Sequence, residues 1–215
     1  MDKKIIKILV VFLLFVSCKS NKVEIPSVQG MIYNGDNEAV SDVEVYIDDK
    51  KNAFSDIYGH FILSDIEIGN TYTIKASKNG YEEIYMSFTY SNPSQVIYFR
   101  MFSANELLYS AEEKVEQKEY KKAEEYLKRA ETAGGSFLSI NYLRAVIKML
   151  IGDYDKALET ANKIIEEGYT EPYLYILIAD IYKNGFNDIN NEQLYLQKFL
   201  KLTYDPKIQE RLISE

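Results

Sequence analysis

Residues 118–123 read KEYKKA, and residues 152–157, 34 positions further along the chain, read GDYDKA. The tyrosine and the final alanine of the two stretches coincide. Apolar residues around them recur every three or four positions, which is the spacing of one face of an α-helix. A pattern that returns at a fixed period of this length predicts a structural unit repeated along the chain. The residues that keep the spacing are Tyr120 and Tyr154, Ala123 and Ala157, and Ala111, Ala145 and Ala179.

This pattern resembles the tetratricopeptide repeat (TPR), an antiparallel helix pair of 34 residues, over about residues 103–206. The alanines would let neighbouring helices approach closely, and the tyrosines would wedge the turn between two helices. We expect Asp153 and Thr170 to cap the helices that follow them. The third unit is expected to be atypical because its turn, residues 184–191, is longer.

The resemblance implies a concave groove built from the first helix of each pair. Its centre would be apolar and would suit a helix or an extended peptide. The β-region or the last helix could instead cover this surface. The Lys and Asn pattern by which some family members hold a C-terminal carboxylate is missing. The groove positions that the resemblance implies are Asn105, Leu108, Glu112, Tyr142, Val146, Met149, Tyr173, Ile176 and Asp180.

The stretch before the helices, residues 28–102, alternates between apolar and polar residues, with turn residues every eight to twelve positions. This pattern indicates short, half-buried strands. About seven of them in this length predict a small antiparallel β-sandwich. The apolar residues that mark the segments include Val28, Val43, Phe61, Tyr72, Ile84 and Met101.

One turn in this stretch carries the most specific local sequence, SDIYGHF at residues 55–61. It resembles the Thr/Ser-Asp-x-x-Gly-x-Phe/Tyr turn of the carboxypeptidase regulatory-like domain, a transthyretin-like β-sandwich. We expect Asp56 to accept hydrogen bonds from the backbone of its own turn and Gly59 to adopt a positive φ. His60 is expected on the solvent-facing side of the strand that follows.

The N-terminus carries a basic start at residues 2–7, an apolar run at residues 8–16, and then Cys18. This order describes a secretory signal peptide. The cysteine directly after the run resembles a bacterial lipobox, in which the thiol is lipidated and the cysteine becomes the first mature residue. The alternatives are an ordinary signal peptide with an incidental cysteine, or a poor membrane helix.

Charge and the scarcity of Cys and His exclude several classes of function. The chain has 25 Lys and Arg against 33 Asp and Glu, a net charge of −8, which argues against binding nucleic acid. One Cys and one His exclude an intrachain disulfide, a cysteine-built zinc site and a two-histidine metal motif. No nucleophile or acid/base motif is present, so we expect no enzyme and no cofactor. Five acidic residues of the strand region could together bind Ca²⁺, but they lack the ligand spacing of a known calcium-binding loop. They are Asp36, Glu38, Asp42, Asp48 and Asp49.

The sequence therefore predicts an α+β protein of two domains. The signal peptide would span 1–17, the lipidated tether 18–25, the β-sandwich 26–102 and the TPR-like solenoid of about three helix pairs 103–215. We expect a non-catalytic lipoprotein, held by its N-terminal lipid to a membrane of the bacterial cell envelope. It would act as a protein–protein interaction scaffold whose groove binds an unidentified envelope protein or peptide. The alternative is an accessory glycan- or peptide-binding component of an envelope processing or uptake system.

Overall fold

The computed structural model describes residues 27–213. The predicted signal peptide, Cys18 and the tether to residue 25 lie outside the described residues. Within residues 27–213 the fold is mixed α+β, with seven strands in two sheets followed by seven α-helices. The prediction of a strand region followed by a helical region is confirmed.

The strands form a three-stranded sheet in the order β4-β1-β7 and a four-stranded sheet in the order β3-β2-β5-β6. Their bounds are β1 Val28–Tyr33, β2 Glu44–Ile47, β3 Lys50–Phe54, β4 His60–Leu63, β5 Thr71–Ser77, β6 Ile84–Thr89 and β7 Val96–Arg100.

Two features of the sheets differ from the prediction. Strands β1 and β7 pair in parallel, whereas the predicted sandwich was antiparallel throughout. Alternation tells which face a side chain takes but not the direction of the neighbouring strand, so the sequence could not reveal this pairing. Strand β3 was not among the predicted segments, because it lies at a sheet edge, pairs only with β2 and buries none of its residues completely.

Alternate residues of both sheets point into one common core, which includes Val28, Ile32 and Ile74. The rings of Phe61 and Phe99 stack in this core with their centroids 5.9 Å apart. Gly30 is where Phe61 meets strand β1, since a Cβ added at Gly30 would stand 2.0 Å from Phe61 Cζ. A larger residue there would displace the ring.

The turn before β4 has the predicted geometry. Asp56 Oδ1 accepts hydrogen bonds from the backbone N–H groups of Tyr58 and His60, each at 2.9 Å. Gly59 has φ of +74°, and a Cβ there would lie 2.4 Å from the Ile32 carbonyl oxygen. His60 lies on the outer face of its sheet, half-buried, with Nε2 3.4 Å from Gln29 Oε1.

The helices pair in order along the chain, α1 with α2, α3 with α4 and α5 with α6. The repeat-spaced residues Ala111, Ala145, Ala123 and Ala157 are all fully buried, as is Ala179. The bounds are α1 Ala104–Glu116, α2 Tyr120–Thr132, α3 Phe137–Leu150, α4 Tyr154–Glu166, α5 Pro172–Ile181, α6 Ile189–Leu202 and α7 Pro206–Ile213.

The helix caps differ from the predicted ones. Asp153 precedes α4, but its carboxylate binds the Lys156 ammonium at 2.7 Å instead of capping the helix. A charged partner is preferred over a neutral backbone amide. Helix α5 begins after Glu171, one residue later than the predicted cap at Thr170.

The third helix pair has the predicted irregular turn, with a different geometry. Helix α5 continues into a π-helical turn, Tyr182–Phe186, which ends at Asn187 with φ of +52°. The predicted loop is therefore partly helical, because the wider turn absorbs the extra residues. Gly185 fits against the Tyr154 ring, where a Cβ would stand 2.3 Å from Cγ.

The strand region and the helical region meet without a linker, since β7 ends at Arg100 and α1 begins at Ala104. Ser103 and Glu106 form a capping box at the start of α1. Glu106 also accepts a hydrogen bond from the Gly35 backbone N–H at 2.9 Å, so the same carboxylate ties α1 to the loop after β1.

A second set of contacts joins the two regions. Arg129 of α2 donates two hydrogen bonds, at 2.8 and 3.0 Å, to the Glu82 carboxylate. The Phe102 ring lies beneath the Arg129 guanidinium, 5.4 Å from its central carbon, and packs against Gly35. These contacts hold α1 and α2 against the strand region.

Candidate functional site

An open cleft of about 480 Å³ lies between alternate helices of the helical region. Helix α1 supplies one wall, α3 the floor, and the N-terminal end of α5 the other wall. The second helices of the pairs, α2 and α4, contribute nothing to it. The lining residues are Glu112, Val115, Glu116, Leu138, Ser139, Tyr142, Leu143, Glu171, Tyr173 and Leu174.

Helical spacing explains why these residues share the cleft. Glu112, Val115 and Glu116 lie three and four positions apart, so they occupy one face of α1. The neighbouring Ala111 is fully buried against α2. Leu138 and Tyr142 are related in the same way on α3. The helix pairs thus bury one face between them and leave the other face on the cleft.

The floor of the cleft is mainly apolar and, besides the exposed Ser139, carries one half-buried polar side chain, Tyr142. Tyr142 is half-buried, and its hydroxyl makes no hydrogen bond to any residue between 27 and 213. Burial raises the pKa of Tyr142 above its ordinary value, and the negative charge of Asp180 adds to this. Like an ordinary tyrosine, Tyr142 is neutral at physiological pH, so its hydroxyl can donate or accept a hydrogen bond.

An aromatic side chain stands at the open rim of the cleft. Tyr173 is 68% exposed, and its ring contacts Phe199 of α6 with centroids 6.2 Å apart. A large exposed aromatic ring next to an apolar floor suits contact with another protein.

The predicted groove positions divide into two groups. Glu112, Tyr142 and Tyr173 line the cleft. The other six do not, although Val146, Met149 and Ile176 are half-buried on the first helices of their pairs. They lie elsewhere: Asn105, Leu108, Val146, Met149, Ile176 and Asp180.

Three of these six have a definite alternative environment. Leu108 is only 9% exposed and belongs to the core between α1 and α2. Asn105 lines a different cavity, of about 570 Å³, at the junction with the strand region. Asp180 accepts a hydrogen bond from Arg211 of α7 at 2.7 Å. The last helix, α7, therefore lies over the predicted groove at Asp180. Cover by the last helix was one of the two alternatives to an open groove, but the cleft beside α1 stays open.

Sequence reasoning missed most of the apolar floor and two of the three acidic residues. Val115, Glu116 and Leu138 are helical neighbours, at three or four positions, of residues that were predicted, so extending each predicted face by one turn would have found them. Glu171 offered no such signal, because it precedes α5 rather than lying on a helix face.

The described residues were also compared with the requirements of a metal site and of a membrane-spanning helix. Asp48, one of the carboxylates weighed for Ca²⁺, accepts a hydrogen bond from the Thr73 backbone N–H at 2.9 Å. Between residues 27 and 213, no His, Cys, Asp or Glu residues gather into a group of three or more that could hold a metal. In the same part of the chain, no helix combines the length and apolar character needed to cross a membrane.

No protein-family model matches the chain, and no curated protein matches it. Two solved structures that do match are a C-terminal and an N-terminal interface mutant of a type II cohesin–X-dockerin complex from Acetivibrio cellulolyticus. Each match has 19% sequence identity and a TM-score of 0.31, and covers 36% of this chain. The matches span 58% and 57% of those chains, less than two thirds of their length. A likeness of this size carries no conclusion about function.

Proposed function

We propose that this protein is a non-catalytic scaffold that binds a segment of another protein in the cleft between α1, α3 and α5. The observation that carries the proposal is the cleft itself, about 480 Å³ with an apolar floor and an exposed Tyr173 at its rim. Grooves of this kind accept an amphipathic helix or an extended peptide.

We further propose that the helical region is a stack of TPR-type helix pairs. The fully buried alanines at 34-residue spacing support this, because each lies where a small side chain lets two helices approach. We propose by the same reasoning that the strand region is a carboxypeptidase regulatory-like sandwich. The turn held by Asp56 and Gly59 supports that assignment.

The proposed location is the bacterial cell envelope, with the chain anchored through a lipid on Cys18. The support is the order of basic, apolar and cysteine residues at the N-terminus. Cys18→Ser should release the protein from membranes or leave its precursor uncut, because stable attachment needs the acyl chains. If the variant still sediments with membranes after salt and carbonate washes, another element holds it there.

Binding in the cleft is tested by comparing proteins that co-purify with the wild-type chain and with two variants. Tyr173→Ala removes the aromatic ring at the rim and should deplete the partner. Tyr98→Ala removes a similarly exposed tyrosine, 65% against 68%, from strand β7 and should leave the partner unchanged. Recovery of the same amount of partner protein with Tyr173→Ala and with Tyr98→Ala would contradict the proposal.

A second candidate function, as an accessory glycan-binding component, is favoured by the outer face of the four-stranded sheet. Tyr85 is 62% exposed there, opposite Lys75, and Lys75 lies 4.5 Å from the centre of the Tyr46 ring. Aromatic faces beside hydroxyl and charged groups can stack on sugars and hydrogen-bond to them. On a glycan array, binding that Tyr85→Ala abolishes would favour this candidate over the scaffold.

A further inference from the structure

The charge of the cleft is one-sided. Three of its ten lining residues are Glu112, Glu116 and Glu171, and none of the ten is basic. All three glutamates are exposed, and their carboxylates form no ion pair or hydrogen bond within residues 27–213. Some other acids of the helical region are compensated, since Glu131 and Asp180 are paired with Arg144 and Arg211. The negative charge of the cleft is therefore uncompensated.

Two of these glutamates occupy positions where a negative charge destabilises helix α1. Glu112 and Glu116 are four positions apart on α1, so their like charges repel. Glu116 is the last residue of α1, where the negative end of the helix dipole disfavours another anion. A lysine at either position would suit the helix better. Local choices that oppose the fold in this way are expected at functional surfaces.

The charges flank the apolar floor from both sides. Glu112 and Glu116 project from the α1 wall, Glu171 from the start of α5, and the floor between them carries Leu138 and Tyr142. A bound segment would therefore meet carboxylates at its edges and apolar groups at its centre. A small cation would match the charge but leave the floor exposed to water.

We infer that the occupant of the cleft is a cationic peptide segment of a partner protein, with an apolar side chain flanked by Lys or Arg. This inference rests on the proposed function, since it names the chemistry of the partner that the same cleft binds. The apolar residue covers the α3 floor, and the basic residues meet Glu112 and Glu116 on one side and Glu171 on the other. Carboxylates at a rim of this kind mainly set the choice of partner and the association rate.

The test is to select binders from a phage library of random peptides against the full chain. The selected peptides are then measured, at low and at high salt, against three variants. Tyr173→Ala tests whether binding is in the cleft. The double variant Glu112→Gln/Glu116→Gln removes two rim charges. Glu125→Gln/Glu159→Gln removes two exposed charges outside the cleft and serves as its matched control.

We expect the selected peptides to be rich in Lys or Arg beside an apolar residue and to weaken with salt. Binding should fall about fivefold to tenfold in Glu112→Gln/Glu116→Gln and stay unchanged in the control, as for exposed charge pairs. Peptides that need Tyr173 but are neutral or acidic would overturn this inference and leave the scaffold proposal standing. An equal loss in the control variant would overturn it as non-specific attraction. If no peptide depends on Tyr173, both proposals fail.

Discussion

At the scale of single residues, the alanines with 34-residue spacing test the helical packing. Ala145 and Ala157 are fully buried where neighbouring helices cross. Ala145→Leu or Ala157→Leu should lower the free energy of unfolding by about 1–3 kcal/mol, because the added atoms overpack the crossing. Thermal and urea unfolding followed by circular dichroism would measure this. The exposed change Lys121→Leu is the control, and equal stability of all three variants would contradict the packing.

Another residue, Arg144, links stability to pH. It joins α3 to α2 by ion pairs with Glu124 at 3.0 Å and Glu131 at 2.9 Å. The hydrogen bonds from Arg144 hold the pKa of the Glu131 carboxyl below its ordinary value of about 4.5. The charged carboxylate is thus favoured in the folded state, and its contribution is present above that value and lost as the pH falls through the folded pKa.

We therefore expect the unfolding free energy to be flat from neutral pH to about pH 5 and to fall below it. Arg144→Met should lower the unfolding free energy at pH 7 by about 1 kcal/mol. Below pH 5, the unfolding free energy of this variant should fall less steeply with pH than that of the wild type. The substitution should not abolish this fall, since the pKa values of Glu83 and Asp188 are also lowered by hydrogen bonds. Urea unfolding from pH 3 to pH 7 measures the slope. Arg100→Met, whose guanidinium binds Asn37 instead of a carboxylate, should keep the wild-type slope.

At the scale of elements, helix α7 depends on one side chain. None of the described residues of α7 is fully buried, so apolar packing alone holds it weakly. Arg211 binds Asp180 of α5 and the completely buried Glu192 of α6. Lys183 also reaches Glu192, at 3.3 Å. The helix is therefore held over the Asp180 end of the helical region chiefly by charge.

Arg211→Met should destabilise the protein by about 2–3 kcal/mol, because it leaves the buried Glu192 with less compensation. It should also speed amide hydrogen exchange in α7 more than elsewhere. Lys207→Met, on the exposed face of the same helix, is the matched control. If the two variants unfold and exchange alike, the ion pairs do not hold α7.

At the scale of the whole molecule, the junction is expected to make one rigid body of the two regions. The Arg129–Glu82 pair, the Gly35–Glu106 hydrogen bond and the Phe102 ring all cross it. Inserting about ten Gly and Ser residues after Phe102 should increase the radius of gyration from small-angle scattering, because a flexible linker spans more distance. The same insertion after Pro93, in an exposed loop of the strand region, should not. Scattering of the native chain as two independent bodies would contradict the rigid junction.

Whether the sequence could predict a feature depends on how far apart in the chain its interacting residues lie. Alternation and helical spacing are local, so they predicted the strand region, the helices and the Asp56 turn. The parallel β1–β7 pairing and the contact of Arg211 with Asp180 join residues distant in the chain, and no local pattern encodes them. Strand β3 pairs with the adjacent β2, but its sequence KKNAF does not alternate between polar and apolar residues, so alternation could not predict it. In the cleft, Tyr142 and Tyr173 followed from repeat position. Leu108 did not, because the rotation of α1 turns it into the core.

The central claim, that the cleft binds a segment of another protein, is tested most directly by site-specific photo-crosslinking in living cells. A photoreactive phenylalanine analogue would replace Tyr173 in one strain and Tyr98 in another, two tyrosines with 68% and 65% exposure. We predict a discrete protein adduct from position 173 that is absent at position 98, mapped by mass spectrometry to one peptide segment of the partner. No adduct at position 173, or the same set of adducts at both positions, would contradict the claim.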